Sequence, residues 1–256
     1  MSRYLFLNSW PAFKKWYSEL GKLRIFWAKP IEEIKLIEET NKYWVSRIKW
    51  KIRRGHKNAV MLVFRNNPYA DMLKKINASK QNYILVACGE RYRDYVVEHL
   101  ETVSAESMLY VWCTLDDFGK VKNVNMEIKR LTWWTSDTEG IFRIIHRESW
   151  GFYIPPREKE HIVILASLNS IPVGMAYLNN HNSNIDYGVH VRRRYWRRGI
   201  GSAILRECIA ASRDMGFKHV SVVRVFRKVG GRADDERASS FYEANNPKFR
   251  FRILRA

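Results

Sequence analysis

At 256 residues, 46% of them apolar, the chain is long enough for one large or two ordinary domains with buried cores, which excludes a disordered polymer. Its formal charge of +19, from 45 basic against 26 acidic side chains, is spread over both halves, so a basic tail is excluded as its source. Such a field attracts nucleic acid, anionic membrane or a phosphorylated cofactor; the plainer reading is a solvated Lys/Arg-rich surface.

Three scattered cysteines, Cys88, Cys113 and Cys208, form no CxxC pair and no even-numbered framework. That speaks against a disulfide scaffold or a structural zinc site, and for a reducing compartment. No run approaches the ~20 apolar residues of a membrane span, and the N-terminus lacks a signal-peptide core. The expectation is a cytoplasmic protein with no membrane segment and no metal.

In chain order, Pro30–Arg54 reads as one long amphipathic helix, with Ile34, Ile37, Trp44, Val45 and Ile48 at helical spacing. The overlapping stretch YWVSRIKWKIRRGHK (43–57) has the composition of a nucleic-acid surface, although such a stretch is more often an amphipathic helix with its charges in water. AVMLVFR (59–65), NYILVACG (82–89) and SMLYVWCT (107–114) are short apolar runs alternating with helical patterns at 69–76 and 90–100. They predict βαβ units and a partly parallel sheet. The turn-rich stretch LDDFGKVKN (115–123) places a domain boundary near residues 124 and 125.

The second half predicts a strand at 125–133 and a capped helix at 138–150. Strands at 161–169 and 171–180 follow, joined by a tight hairpin at Asn169-Ser170, and then a strand at 184–191. A glycine loop leads into a helix whose apolar face includes Ile200, Ile204, Leu205, Cys208 and Ile209, with Gly216 past its end. A strand at 219–226, a helix at 236–246 and a strand at 248–256 complete the pattern. The fold class is α/β (α+β), with a mixed, mostly antiparallel sheet in 125–256 and an N-terminal α/β domain in 1–124.

The junction VHVRRRYWRRGIGSAILREC carries the chemistry. N–H groups at a helix start lack intrahelical partners and sit at the positive end of the macrodipole, which suits an anion. Gly199 and Gly201 let that backbone approach phosphate oxygens, and Arg197 and Arg198 add charge-assisted hydrogen bonds. The G-x-x-x-x-G-K-[ST] phosphate loop is absent, and the G-x-G-x-x-G dinucleotide fingerprint lacks its third glycine.

These residues resemble motif A of the GNAT superfamily of N-acetyltransferases, [RQ]-x-x-G-x-[GA] after a V-x-V strand. Val189, Val191 and Tyr195 match the lead-in, and Arg198, Gly199, Ile200 and Gly201 match the loop, while Trp196 stands at the family's Arg/Gln position. Asp235 to Tyr242 (DERASSFY) resembles the family's late N-x-x-A-x-x-[FL]-Y helix, with Asp235 in place of Asn. The resemblance covers residues 125–256; the first 124 are either an unassigned α/β domain or a degenerate second copy of the fold.

The resemblance implies an enzyme, an acyltransferase moving an acetyl group directly from acetyl-CoA to an amine acceptor. The loop Trp196, Arg197, Arg198, Gly199, Ile200, Gly201 and Ser202 would hold the pyrophosphate, and the strand Val189, His190 and Val191 the pantetheine arm. Tyr242 is implied as the acid for the leaving thiolate, or is an aromatic packed beside Phe241. The base is sought on the V-x-V strand, where Asp186 and His190 share a face; each is equally readable as a plain strand residue. The acceptor is a small molecule, peptide or protein amine, and the first half shapes its site or mediates homodimerisation. The alternative function is a basic nucleic-acid-binding protein whose GNAT-like domain is non-catalytic.

Overall fold

The computed structural model describes residues 31–51, 55–65, 67–78, 84–116, 126–226 and 233–256. The chain divides into two compact units, Met1–Val111 with Val223–Ala256, and Trp112–Val222. The expected boundary stretch falls mostly on 117–125, outside the described residues.

In the first unit, a hairpin stands where one long helix was expected: strand β1 (Ile31–Glu39) pairs antiparallel with β2 (Tyr43–Lys51). The turn is set by Thr40. Its hydroxyl accepts from the N–H groups of Lys42 and Tyr43, each at 3.1 Å, and its N–H donates to the Tyr43 carbonyl at 2.9 Å. The spacing of Trp44, Val45 and Ile48 fits a helix face, but β-branched and aromatic residues fit a pleat better. Tyr43, Trp44, Val45, Ser46 and Ile48 are all buried, so β2 is covered on both faces, and a one-sided period cannot identify such a strand.

β3 (His56–Phe64) pairs antiparallel with β2, and helix α1 (Ala70–Asn77) crosses over to β4 (Ile84–Cys88), which runs parallel to β3. This is the expected βαβ unit. Helix α2 (Arg93–His99) and β5 (Ala105–Cys113) follow. The next neighbour of β4 is not β5 but the C-terminal strand β11 (Phe249–Arg255), antiparallel to both. The sheet order is β1-β2-β3-β4-β11-β5-β10, where β10 is His219–Phe226. Val45, Leu62, Met72, Leu73, Val86, Val96 and Leu254 share one core, which α1 and α2 cover. Glu106 is 1% exposed and accepts from Arg93 of α2 at 2.9 and 3.0 Å and from Arg252 of β11 at 2.6 Å. It clamps three elements through charge-assisted hydrogen bonds.

The second unit is a four-stranded antiparallel sheet, β6 (Met126–Leu131), β7 (His161–Leu168), β8 (Ile171–Asn179) and β9 (Ile185–Val191), paired in chain order. Asn169 and Ser170 both have positive φ, the signature of a two-residue hairpin turn. Helix α3 (Ser136–Trp150) begins where the Thr135 side chain accepts from the Thr138 N–H and ends at Gly151 in the left-handed region. Its Phe142 and Ile145 pack with Val163, Leu165, Met175 and Tyr177 on one sheet face. Gly174, the neighbour of Met175 and so on the other face, lets helix α4 (Ile200–Asp214) come close. A Cβ there would lie 2.8 Å from Ile204 Cδ1 and 2.9 Å from the His190 carbonyl oxygen. Over the described residues the architecture is the expected α/β fold with mostly antiparallel strands, but β10 and β11 of the 125–256 stretch join the sheet of β1 to β5 instead of the four-stranded sheet.

Candidate active site

β9 begins in a buried polar network. Asp186, 1% exposed, accepts from His161 Nε2 at 2.9 Å, Asn179 Nδ2 at 3.1 Å and Asn184 Nδ2 at 2.7 Å. His161 Nδ1 accepts the Arg157 N–H at 2.8 Å, so its proton sits on Nε2 and points at the carboxylate. Asn184 also forms an isolated parallel bridge to Ser221, whose hydroxyl donates to Asn184 Oδ1 at 3.0 Å. The network therefore joins the ends of β7, β8 and β9 to the start of β10.

Beyond Asp186 the strand bulges. Asp186 faces Tyr177 and Val189 faces Ala176, so Tyr187 and Gly188, both at positive φ, are two extra residues. Two insertions preserve the alternation, and Asp186 and His190 stay on one face, toward α3. His190 is 6% exposed; its Nδ1 lies 2.7 Å from Ser149 Oγ and its Nε2 3.1 Å from the Tyr187 carbonyl. The rings of His146 and Trp150 pack on it at 4.1 and 5.4 Å. Burial pushes His146 down to about 4.

The loop after β9 starts at Arg192, which donates to both Glu148 oxygens at 2.8 Å and to the Pro172 carbonyl at 3.3 Å. Each partner perturbs the other: the Glu148 carboxylate raises the Arg192 guanidinium, which holds Glu148 below its usual range. The guanidinium groups of Arg192, Arg194 and Arg198 lie 5.9, 5.1 and 5.6 Å from the centre of the Tyr195 ring. Trp196 donates its indole N–H to the Val191 carbonyl at 2.7 Å, pinning the loop to the end of β9. Arg197 has φ +61°, and Gly199, at φ +76°, is the N-cap of α4 with no capping side chain. The Gly199 carbonyl accepts from Ala203 N–H at 3.0 Å, so that bond opens the helix. Among the described residues, the N–H groups of Gly199, Ile200, Gly201 and Ser202 meet no protein acceptor. Arg197, Arg198 and Gly199 are exposed, and the Ile200 side chain is buried beneath them.

Val189, His190, Val191, Trp196 to Ser202 and Asp186 all lie in the unit of residues 112–222. Tyr242 lies in the other. It is buried on helix α5 (Ala233–Ala244), its ring 5.2 Å from Tyr110 and 5.0 Å from Phe241. Sequence reasoning missed Ser149, His146 and Trp150. Their i, i+3, i+4 spacing on α3 marks one helix face, but nothing local says that this face meets His190. Among the described residues no cluster of His, Cys, Asp or Glu could hold a metal, and no helix is long and apolar enough to cross a membrane.

The site is an α/β module in which an edge strand delivers a glycine loop with unbonded N–H groups into a long helix, an arrangement whose donors and dipole suit an anion. Residues 128–244 match the model of the Acetyltransferase (GNAT) family, and the protein carries a GNAT acetyltransferase domain over those residues. Members of that family use an acyl-CoA donor and an amine acceptor. No curated protein matches the chain. Among solved structures it is similar to a GCN5-related N-acetyltransferase from Kribbella flavida, at 12% identity over 87% of this chain and 88% of that one, TM-score 0.48. It is similar to another from Sphaerobacter thermophilus, at 14% identity over 86% and 82%, TM-score 0.44. An aminoglycoside acetyltransferase from an uncultured soil metagenomic sample is 20% identical over 49% of this chain and 90% of its own, TM-score 0.36.

Proposed function

We propose that the protein is an N-acetyltransferase that moves an acetyl group directly from acetyl-CoA to an amine acceptor. The observation that supports this most is the start of α4, where four consecutive N–H groups lie without protein acceptors beneath two exposed arginines. That cradle fits a pyrophosphate: donors converge, the helix dipole adds partial positive charge, and Gly199 and Gly201 carry no side chain to block approach. Arg197 and Arg198 supply the rim, Trp196 holds the loop in place, and the edge of β9 at Val189 to Val191 takes the pantetheine arm. When bound, acetyl-CoA supplies the acyl group as an activated thioester.

The acceptor amine must lose a proton to attack, since primary amines are mostly protonated near pH 7. His190 takes that proton, because Asp186 already accepts from three donors and serves instead to hold the start of β9. Tyr242 protonates the leaving thiolate. The scattered cysteines, with no CxxC pair and no even-numbered framework, support a reducing, cytoplasmic setting. Homodimerisation, and acyl transfer carried by residues of the 125–256 stretch, belong to the same proposal.

Calorimetric titration with acetyl-CoA tests the reading. Saturable binding is expected in the wild type, and Gly201→Asp should abolish it by bringing a carboxylate against the pyrophosphate. Tyr242→Phe should lower turnover with acetyl-CoA affinity unchanged. A salt-sensitive shift of duplex DNA or tRNA without any acetyl-CoA binding would favour a nucleic-acid-binding protein instead.

A further inference from the structure

The hydrogen bonds of His190 fix more than its position. Its Nε2 faces the Tyr187 carbonyl at 3.1 Å, and a carbonyl only accepts, so Nε2 carries a proton in either charge state. Its Nδ1 lies 2.7 Å from Ser149 Oγ, and that oxygen is also 3.3 Å from the carbonyl of His146, three residues back on α3. Ser149 has one hydroxyl proton and two acceptors for it. Given to Nδ1, it leaves His190 a neutral imidazole. Given to the His146 carbonyl, it requires Nδ1 to carry its own proton and donate to Oγ, which makes His190 an imidazolium. Both charge states use the same heavy-atom positions and differ by one hydroxyl rotation.

The surroundings decide which group accepts the charge. His146, on α3, accepts the Ile154 N–H at Nδ1, so its proton is on Nε2, a buried atom with no acceptor, and the ring is neutral. Tyr153 and Tyr177 pack against that ring from the following segment and from β8. On β9, Asp186 is committed to its three donors, and Glu148 of α3 is paired with Arg192. Trp150 offers His190 an aromatic neighbour for a positive charge. Ser149 is half-buried whereas His190 is nearly enclosed, so Nδ1 is reached through the serine.

We infer that Ser149 and His190 form a proton-accepting dyad for the acceptor amine, with Ser149 as its contact point. This rests on the acyl-transfer reading above. The amine N–H proton passes to Ser149 Oγ while the Oγ proton passes to His190 Nδ1. One N–H and one O–H bond break, one O–H and one N–H bond form, and the amine keeps its electron pair for the new N–C bond. The positive charge ends on the imidazolium, between the Tyr187 carbonyl and Ser149 Oγ.

Imidazole 15N NMR on the full chain, with no substrate added, reads the dyad directly. The wild type is expected to show His190 as the Nε2–H tautomer at high pH. Ser149→Ala removes an acceptor that the charged ring uses more strongly than the neutral one, so His190 should titrate about one pH unit lower. Ser149→Thr retains the hydroxyl and should restore the wild-type titration, which a purely space-filling role would not require. An Nδ1–H tautomer in the wild type, or an unchanged titration in Ser149→Ala, overturns the dyad. Kinetics with tyramine, spermidine and a lysine-bearing peptide should show Ser149→Ala lowering kcat/KM by about 100-fold. Failure of the wild type both to bind acetyl-CoA and to acetylate any of the three overturns the acyl-transfer reading, and the dyad's role with it.

Discussion

His146 is the residue whose environment most directly couples folding to pH. Burial lowers it from 6.5 to about 4, so between those values the unfolded chain binds the proton and the folded chain does not. Its contribution is complete above about pH 6.5 and is lost as pH falls toward 4, a difference of about 3 kcal/mol. Urea unfolding from pH 4 to 7 should show stability rising through this window, with that part of the slope missing in His146→Gln. Gly174 is a second sensitive position. A methyl there meets both the Ile204 side chain, which can move, and the His190 backbone oxygen, which cannot. Gly174→Ala should cost about 2 kcal/mol of stability, seen as a lower urea midpoint at constant m.

Among the elements, the β9–loop–α4 junction depends on two unusual backbone residues, Arg197 and Gly199, both at positive φ. They turn the chain so that the first N–H groups of α4 face outward, and Trp196 ties this turn to the end of β9. Trp196→Phe keeps the ring and removes the hydrogen bond. It should weaken acetyl-CoA binding by about 5- to 10-fold in calorimetry, as expected for one lost bond of about 1 kcal/mol. The arginines before the loop divide by use. Arg192 is spent on Glu148 and Pro172, while Arg193 and Arg194 are exposed. The β1–β2 hairpin shows the opposite case, a segment whose apolar spacing suits a helix but whose Thr40 turn and two-sided burial make it a sheet edge.

For the molecule as a whole, the position of β11 matters most. The last strand of the chain lies between β4 and β5, so the first unit is closed only when the C-terminus arrives. A fragment of residues 1–124 therefore lacks a central strand and should not unfold cooperatively, which circular dichroism on heating would show. Deleting 249–256 should have the same effect on the first unit. Glu106 reinforces this closure from within. Glu106→Ala leaves Arg93 and Arg252 without their shared carboxylate, and the expected loss is about 3 kcal/mol or more, measured by urea unfolding.

Most elements of residues 125–256 were legible in the sequence because their signals are local. Thr135 caps α3, Asn169-Ser170 turns a hairpin, and the glycines at 199 and 201 mark the start of α4. The open N–H groups at the start of α4 were legible for the same reason: they are consecutive backbone groups. What surrounds His190 was not legible, since Ser149 and His146 are more than forty residues away and meet it only when α3 packs on the sheet. Nor was the commitment of Asp186 to His161, Asn179 and Asn184, or the insertion of β11 between β4 and β5. Sequence by itself determined the course of a contiguous loop with its glycines and helix start; tertiary structure alone decided which distant side chains meet and saturate one another, because burial and hydrogen-bond pairing depend on non-local packing.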